Sequence, residues 1–179
     1  MRVSHALGVV GVLLYAAKYT QSAVSVDMKH FSKSEFGLWF PMMNKKLLAK
    51  LDSLRGAWGE PIMISPALGA IGRTLPPGHS NYNSRHNITR WGEVQAIDIM
   101  PLIKTADGVR GCDPFELKMA YNMAVDIGFT GIGVYPDWLP HAGLHVDVRD
   151  DHAAGNPATW SGIKTAQGQK YFGVNRGFA

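Results

Sequence analysis

The hexapeptide Leu144-His145-Val146-Asp147-Val148-Arg149 carries the strongest chemical signal in the chain. Side chains alternate across a β-strand, so His145, Asp147 and Arg149 share one face while Leu144, Val146 and Val148 take the other. A strand that is apolar behind and His-Asp-Arg in front reads as the floor of a site, or else as the polar face of an edge strand. A second signal is Asp98, set inside the apolar run Gln95-Ala96-Ile97-Asp98-Ile99. A carboxylate in such a setting is costly unless it is paired or bound to a metal. A third is His86, in Ser84-Arg85-His86-Asn87.

Taken together, His86, Asp98 and His145 form a two-imidazole, one-carboxylate set. That is a common zinc-binding set for catalysis, with water in the fourth position. Such an open site lowers the pKa of the bound water toward about 7 and polarises a carbonyl. Cys112 is the only cysteine, so neither an internal disulfide nor a thiolate-rich zinc site can be built.

The pattern Ser84-x-His86, then Ala96-x-Asp98-Ile99, then His145-Val146-Asp147 resembles the D-alanyl-D-alanine carboxypeptidase-like zinc peptidases. This group includes VanX- and VanY-type enzymes, phage endolysins and related murein endopeptidases. The run Gly131-Ile-Gly-Val-Tyr-Pro136 resembles its bacterial and phage branch, and the resemblance spans residues 27–160. It implies zinc on His86, Asp98 and His145, and a substrate-binding side that includes Arg73, facing a carboxylate, and Ser84, with Ser80 in the same region. It also implies hydrolysis of peptide bonds in peptidoglycan by a phage lysis or virion-associated enzyme, acting at the cell wall or in the periplasm. Two departures stand out. The interval from His86 to Asp98 is longer than the family's, with residues 87–91 resembling an insertion; if that insertion does not bulge out, His79 competes as first ligand. The acidic residue expected three positions before His145 is replaced by Ala142, which leaves Asp137 and His141 as candidate general bases, with Asp147 and Glu93 behind them. A catalytically inactive wall-binding or virion structural module on the same fold is the alternative reading.

The elements that must hold these residues can be read from the flanking sequence. Ser32 and Glu35 form a capping box, bracketed by Phe31 and Phe36. Leu47, Leu48, Leu51 and Leu54 recur at helical spacing up to Gly56 or Gly59. Residues 61–65 read as a short strand, 66–93 as a long polar loop of the kind that usually carries function, and 94–100 as the Asp98 strand. Asp113-Pro114-Phe115-Glu116 opens a helix that runs to Ile127 and stops at Gly128. Residues 129–135 and 143–149 form an antiparallel hairpin, and everything from Asp150 onward reads mostly as loop. The order of elements leads to an α+β expectation, helices packed on a small antiparallel sheet, and the resemblance implies the zinc D-Ala-D-Ala carboxypeptidase/Hedgehog-like fold.

The chain has 179 residues, 46% of them hydrophobic, which suits one domain with one core over residues 26–179. Its net charge of +4 comes without a Lys/Arg cluster. That mild basic excess favours approach to anionic polymers such as cell-wall material or nucleic acid, or serves simple solubility, and it is weak support for a nucleic-acid partner, so none is expected. Residues 1–25 differ from the rest: Arg2 precedes an apolar run from Ala6 to Ala17 that is too short for an ordinary membrane span. The segment reads as a secretory signal or weak anchor, or as a helix that packs on a partner, which makes it the point of membrane or virion contact.

Overall fold

In a computed structural model the described residues are 26–179, so the expectations for the N-terminal segment lie outside them. An open seven-stranded sheet forms the centre, in the order β1-β2-β5-β4-β6-β7, with β3 pairing β2 off this path. The strands are β1 (Ile62–Ile64), β2 (Ala96–Thr105), β3 (Gly108–Gly111), β4 (Gly131–Tyr135), β5 (Gly143–Asp147), β6 (Ala158–Thr165) and β7 (Gly168–Phe172). All pairings are antiparallel except β4 with β6. The helices are α1 (Lys45–Trp58), the single turn α2 (Ile88–Trp91) and α3 (Pro114–Ile127), with 3-10 helices at Lys33–Met42 and Val174–Phe178.

Local sequence explains most of these elements. Asn44 caps α1 by accepting the Leu47 N–H at 3.0 Å, and the helix ends at Gly59, whose φ of 70° no branched side chain would tolerate well. Asp113 caps α3 by accepting the Glu116 N–H at 2.8 Å. The 3-10 helix follows Phe31 and Phe36, whose ring centroids lie 5.6 Å apart, and Glu35 accepts the Ser32 N–H at 2.8 Å.

The sheet's two faces differ sharply. Ile97, Ile99, Ile132, Val134, Leu144 and Val146 point to one side and merge with Leu47, Leu48, Leu51 and Leu54 of α1 and Leu117, Ala120 and Ala124 of α3. Burying each large apolar side chain there contributes about 1.5–3 kcal/mol. The alternate residues point the other way, and no helix among the described residues covers the centre of that face. Register then sets a row across four strands: Asp98 opposite His145, His145 opposite Gly133, and Gly133 opposite Trp160.

The α+β class holds, but the sheet is larger than expected in two places. The Asp98 strand runs on to Thr105 and folds back as a β2–β3 hairpin. The C-terminal stretch, expected to be mostly loop, supplies β6 and β7. The open edge of β4 takes β6 in parallel register, and backbone pairing to that edge overrides the weak local preference of a Gly- and Lys-containing segment. Of residues 87–91, Asn87 caps and Ile88–Trp91 form α2, with Ile88 in the core.

Candidate metal centre

Asp98 on β2 and His145 on β5 meet as cross-strand neighbours, and His86 reaches them from the long loop. The loop is tied down beside the sheet. The Arg73 N–H donates to the His86 carbonyl at 2.9 Å, and the Ile88 N–H donates to the Arg73 carbonyl at 3.0 Å. Asn87 is fully buried and uses its whole amide. It donates to the Leu75 and Tyr82 carbonyls at 3.1 and 2.8 Å, and accepts the Leu75 and Thr89 N–H groups at 2.9 and 3.2 Å. A long loop thereby gains the fixed geometry that a ligand needs.

Three donor atoms converge. His86 Nε2 lies 3.1 Å from His145 Nδ1 and 3.3 Å from Asp98 Oδ1, and His145 Nδ1 lies 3.0 Å from Asp98 Oδ1. Tetrahedral coordination with bonds of about 2.0–2.2 Å separates ligand atoms by about 3.3–3.5 Å, so these atoms need only small shifts to surround one ion. The other ring nitrogens fix the tautomers. His86 Nδ1–H donates to the Ile71 carbonyl at 2.9 Å, which leaves the Nε2 lone pair facing inward. His145 Nε2–H donates to Asp147 Oδ2 at 3.1 Å, and Asp147 is held in turn by Arg149 Nη2 at 2.6 Å. Backbone carbonyls and carboxylates are the usual outer partners of metal-bound histidines. His86, Asp98 and His145 are all buried, and they form the one group of this kind among the described residues.

The electrostatics follow from this arrangement. Burial works to raise the Asp98 carboxyl, but the His86 and His145 imidazoles overcome it and hold the group well below the usual carboxylate range. Burial works to depress His145, but hydrogen bonds to Asp147 and Asp98 prevail and push it up to about 9. Burial likewise opposes ionisation of Asp147, and His145 and Arg149 keep it ionised. In the metal-free protein, His145 therefore donates a proton to each flanking carboxylate. A metal bound there would replace the Nδ1 proton.

Comparisons with protein-family models, with curated proteins and with solved structures find no match to this chain. The site's chemistry therefore has to be read from its own geometry.

The centre opens into a cleft of about 1020 Å³. On the loop side the cleft is lined by Arg73, Ser80, Ser84, Arg85, Arg90 and Trp91, and on the sheet side by Tyr135, Trp138, Trp160 and Tyr171. Arg73 Nε donates to the Gly69 carbonyl at 3.0 Å, and its two terminal nitrogens have no protein partner among the described residues. Arg85 stacks on Trp91 at 4.0 Å and pairs with Asp150 and Asp151 at 3.2 and 3.1 Å, tying the loop to the turn after β5.

The expected metal ligands thus come together, and Arg73 and Ser84 line the cleft beside them. His79 does not join them: it is exposed, and its Nδ1 accepts the Asn81 N–H at 3.0 Å within a turn. The two candidate bases are placed elsewhere. Asp137 is exposed and accepts the Lys164 N–H at 2.8 Å, away from the cleft. His141 packs against β3, where a Cβ on Gly111 would sit 2.9 Å from its Nδ1. Packing fills the cleft-facing places in that loop with Trp138, stacked on Tyr135 with centroids 4.1 Å apart, and Leu139. Glu93 accepts the Asn44 amide at 2.7 Å, and Asp147 lies behind His145. Sequence reasoning missed the aromatic wall. Its signal was the pairing of Gly133 and Gly162 with Trp160 and Tyr135, visible only once β4 and β6 are set side by side.

Proposed function

We propose that this protein is a zinc-dependent peptidase acting on peptide bonds of peptidoglycan, on a D-alanyl-D-alanine carboxypeptidase-like fold. The observation that carries the reading is the converging set of His86 Nε2, Asp98 Oδ1 and His145 Nδ1, each imidazole held in the correct tautomer, on the floor of an open cleft. Two nitrogens and one oxygen suit zinc better than hard cations such as magnesium or calcium. When bound, zinc would acidify a water molecule and polarise the scissile carbonyl.

The chain's own residues would bind and orient the substrate. Arg73, with both terminal nitrogens free, offers the planar two-point geometry that a carboxylate takes. Ser80 and Ser84 add hydroxyl contacts on the same side. The aromatic wall opposite excludes water from one flank of the bound peptide. The reading places the protein at the cell wall or in the periplasm, as a phage lysis or virion-associated enzyme, with residues 1–25 as the route to export, membrane or virion. No helix among the described residues is long and apolar enough to cross a membrane.

One observation favours a second reading, a wall-binding or virion module without catalysis. Among the described residues that line the cleft, Asp98 and Asp151 are the only carboxylates, and Asp151 is paired with Arg85. A peptidase needs a group to carry the water's proton to the leaving amine. The test is to measure zinc per chain in the purified protein and to analyse a peptidoglycan digest by mass spectrometry. One zinc with new peptide termini supports the peptidase. One zinc with wall binding but no cleavage supports the module, and absence of zinc binding overturns both.

A further inference from the structure

Tyr135 is held in a way that leaves its hydroxyl hydrogen with a defined task. The indole Nε1 of Trp160 lies 2.9 Å from the Tyr135 Oη. An indole nitrogen donates and never accepts, so the phenol oxygen is the acceptor there and its own hydrogen must be directed elsewhere. The ring cannot swing freely: it stacks on Trp138 at an interplanar angle of 12° and lies over Gly162, where a Cβ would meet Tyr135 Cε1 at 2.3 Å. Trp160 is fixed by the same device. It covers Gly133, where a Cβ would meet its Nε1 at 2.5 Å, and its ring packs against His145 with centroids 5.3 Å apart. Each aromatic therefore fills the space left by a glycine on the neighbouring strand.

Both rings line the same cleft as the three candidate ligands. Besides the Asp98 charge, the phenol feels the Tyr171 hydroxyl, in a residue 64% exposed. Solvent and bound ligand reach it freely, so a ligand oxygen can take its place. Burial, only partly offset by the Trp160 hydrogen bond, raises the phenol above its ordinary range, so it is a neutral donor at neutral pH.

We infer that the Tyr135 hydroxyl donates a hydrogen bond to the substrate's carbonyl oxygen as that oxygen takes up negative charge, with Trp160 as the positioning residue that aims it. The inference rests on the peptidase reading above. In the reaction, the oxygen of one water bonds to the carbonyl carbon, the carbon–nitrogen bond breaks, and the nitrogen leaves with the water's proton. The phenol keeps its own proton throughout and is neither consumed nor oxidised. A fixed donor aimed at developing charge needs no reorganisation as the charge appears, and removing one such donor typically slows turnover by about 10²–10³-fold.

The test compares wild type, Tyr135→Phe and Trp160→Phe, each carrying zinc, in peptidoglycan-peptide hydrolysis and in binding of a phosphinate peptide whose tetrahedral phosphorus replaces the carbonyl carbon. Tyr135→Phe keeps the stacked ring and deletes only the hydroxyl. The expected result is a fall in kcat of about 100-fold with KM within about threefold, zinc content unchanged, and phosphinate affinity reduced by a factor similar to that in kcat/KM. Trp160→Phe should lose less, about tenfold, by the same split. Full activity and unchanged phosphinate affinity in Tyr135→Phe would overturn the inference while leaving the peptidase reading intact. So would a rise in KM that accounts for the whole loss, because the hydroxyl would then be a simple binding contact. A zinc-loaded wild type that cleaves no wall peptide overturns the peptidase reading itself, and this inference falls with it.

Discussion

The two walls of the cleft are built on opposite principles. The loop wall, residues 65–91, has almost no regular structure and is held by Asn87 and by two backbone bonds between Arg73 and the His86 segment. The sheet wall stands on β4 and β6, where strand register alone sets Trp160 against Gly133. The loop wall carries Arg73, whose terminal nitrogens have no protein partner among the described residues, beside Arg85, which is held by Gln95, Asp150 and Asp151. The sheet wall carries Trp160 and Tyr135, each fixed over a glycine of the neighbouring strand, and the more exposed Tyr171. The same molecule thus sets an unpaired guanidinium on a loop and packed aromatics on strands, with the candidate metal site between, drawing His86 from the first and Asp98 and His145 from the second.

Removing the shared floor should have the largest effect. His145→Ala deletes one ligand and should lower zinc affinity by more than the ~10–100-fold typical of losing only a ligand's outer partner. Full zinc content in that variant, measured by elemental analysis, would show that the two walls do not meet at a metal.

The next effect in size is pH dependence. His145 rises from 6.5 to about 9 in the folded metal-free protein. That raised value stabilises the metal-free fold fully below about 6.5, and the contribution fades as pH climbs through 9. Zinc must displace the same proton, so affinity should fall about tenfold per pH unit from 9 down to 7. Calorimetric titration at several pH values would detect this, and a flat profile would contradict it.

The sheet wall can then be broken alone. Gly133→Ala places a methyl 2.5 Å from Trp160 Nε1 and should push the indole off His145. Overpacking of this kind costs about 1–3 kcal/mol of stability. Activity should drop by roughly tenfold with zinc retained, as the displaced Trp160 releases the phenol it aims. Unchanged melting and turnover would mean the wall is softer than its register implies.

The loop wall should prove more forgiving. Arg73→Lys keeps the charge and loses the planar fork, so KM for carboxylate-bearing substrates should rise about tenfold with little change in kcat. A large fall in kcat instead would make the loop wall as exacting as the sheet wall. The smallest effects belong outside both walls: Asp137→Ala and His141→Ala should leave hydrolysis within about twofold, because neither side chain lines the cleft. A hundredfold loss in either would restore that loop as the source of the base.

The positions of α1 and α3 were legible in their caps and leucine spacing, and the His145 strand in its alternation. These signals are local: a cap acts within four residues and a strand's faces within two. The tail was not legible, because β6 has no strong alternation of its own and forms where β4 offers an unpaired edge.

The sequence by itself determined which residues had a chemical reason to be where they are: a carboxylate among isoleucines and a histidine on a strand with an apolar back. Burial cost attaches to residue type, so it can be read in one dimension. Only the tertiary structure decided which of them meet. Asp98 and His145 lie 47 positions apart and touch through strand register. Trp138 and Leu139, rather than Asp137 or His141, take the cleft-facing places, with Trp138 stacked on Tyr135. Packing competition of that kind depends on neighbours distant in the chain, and no local pattern records it.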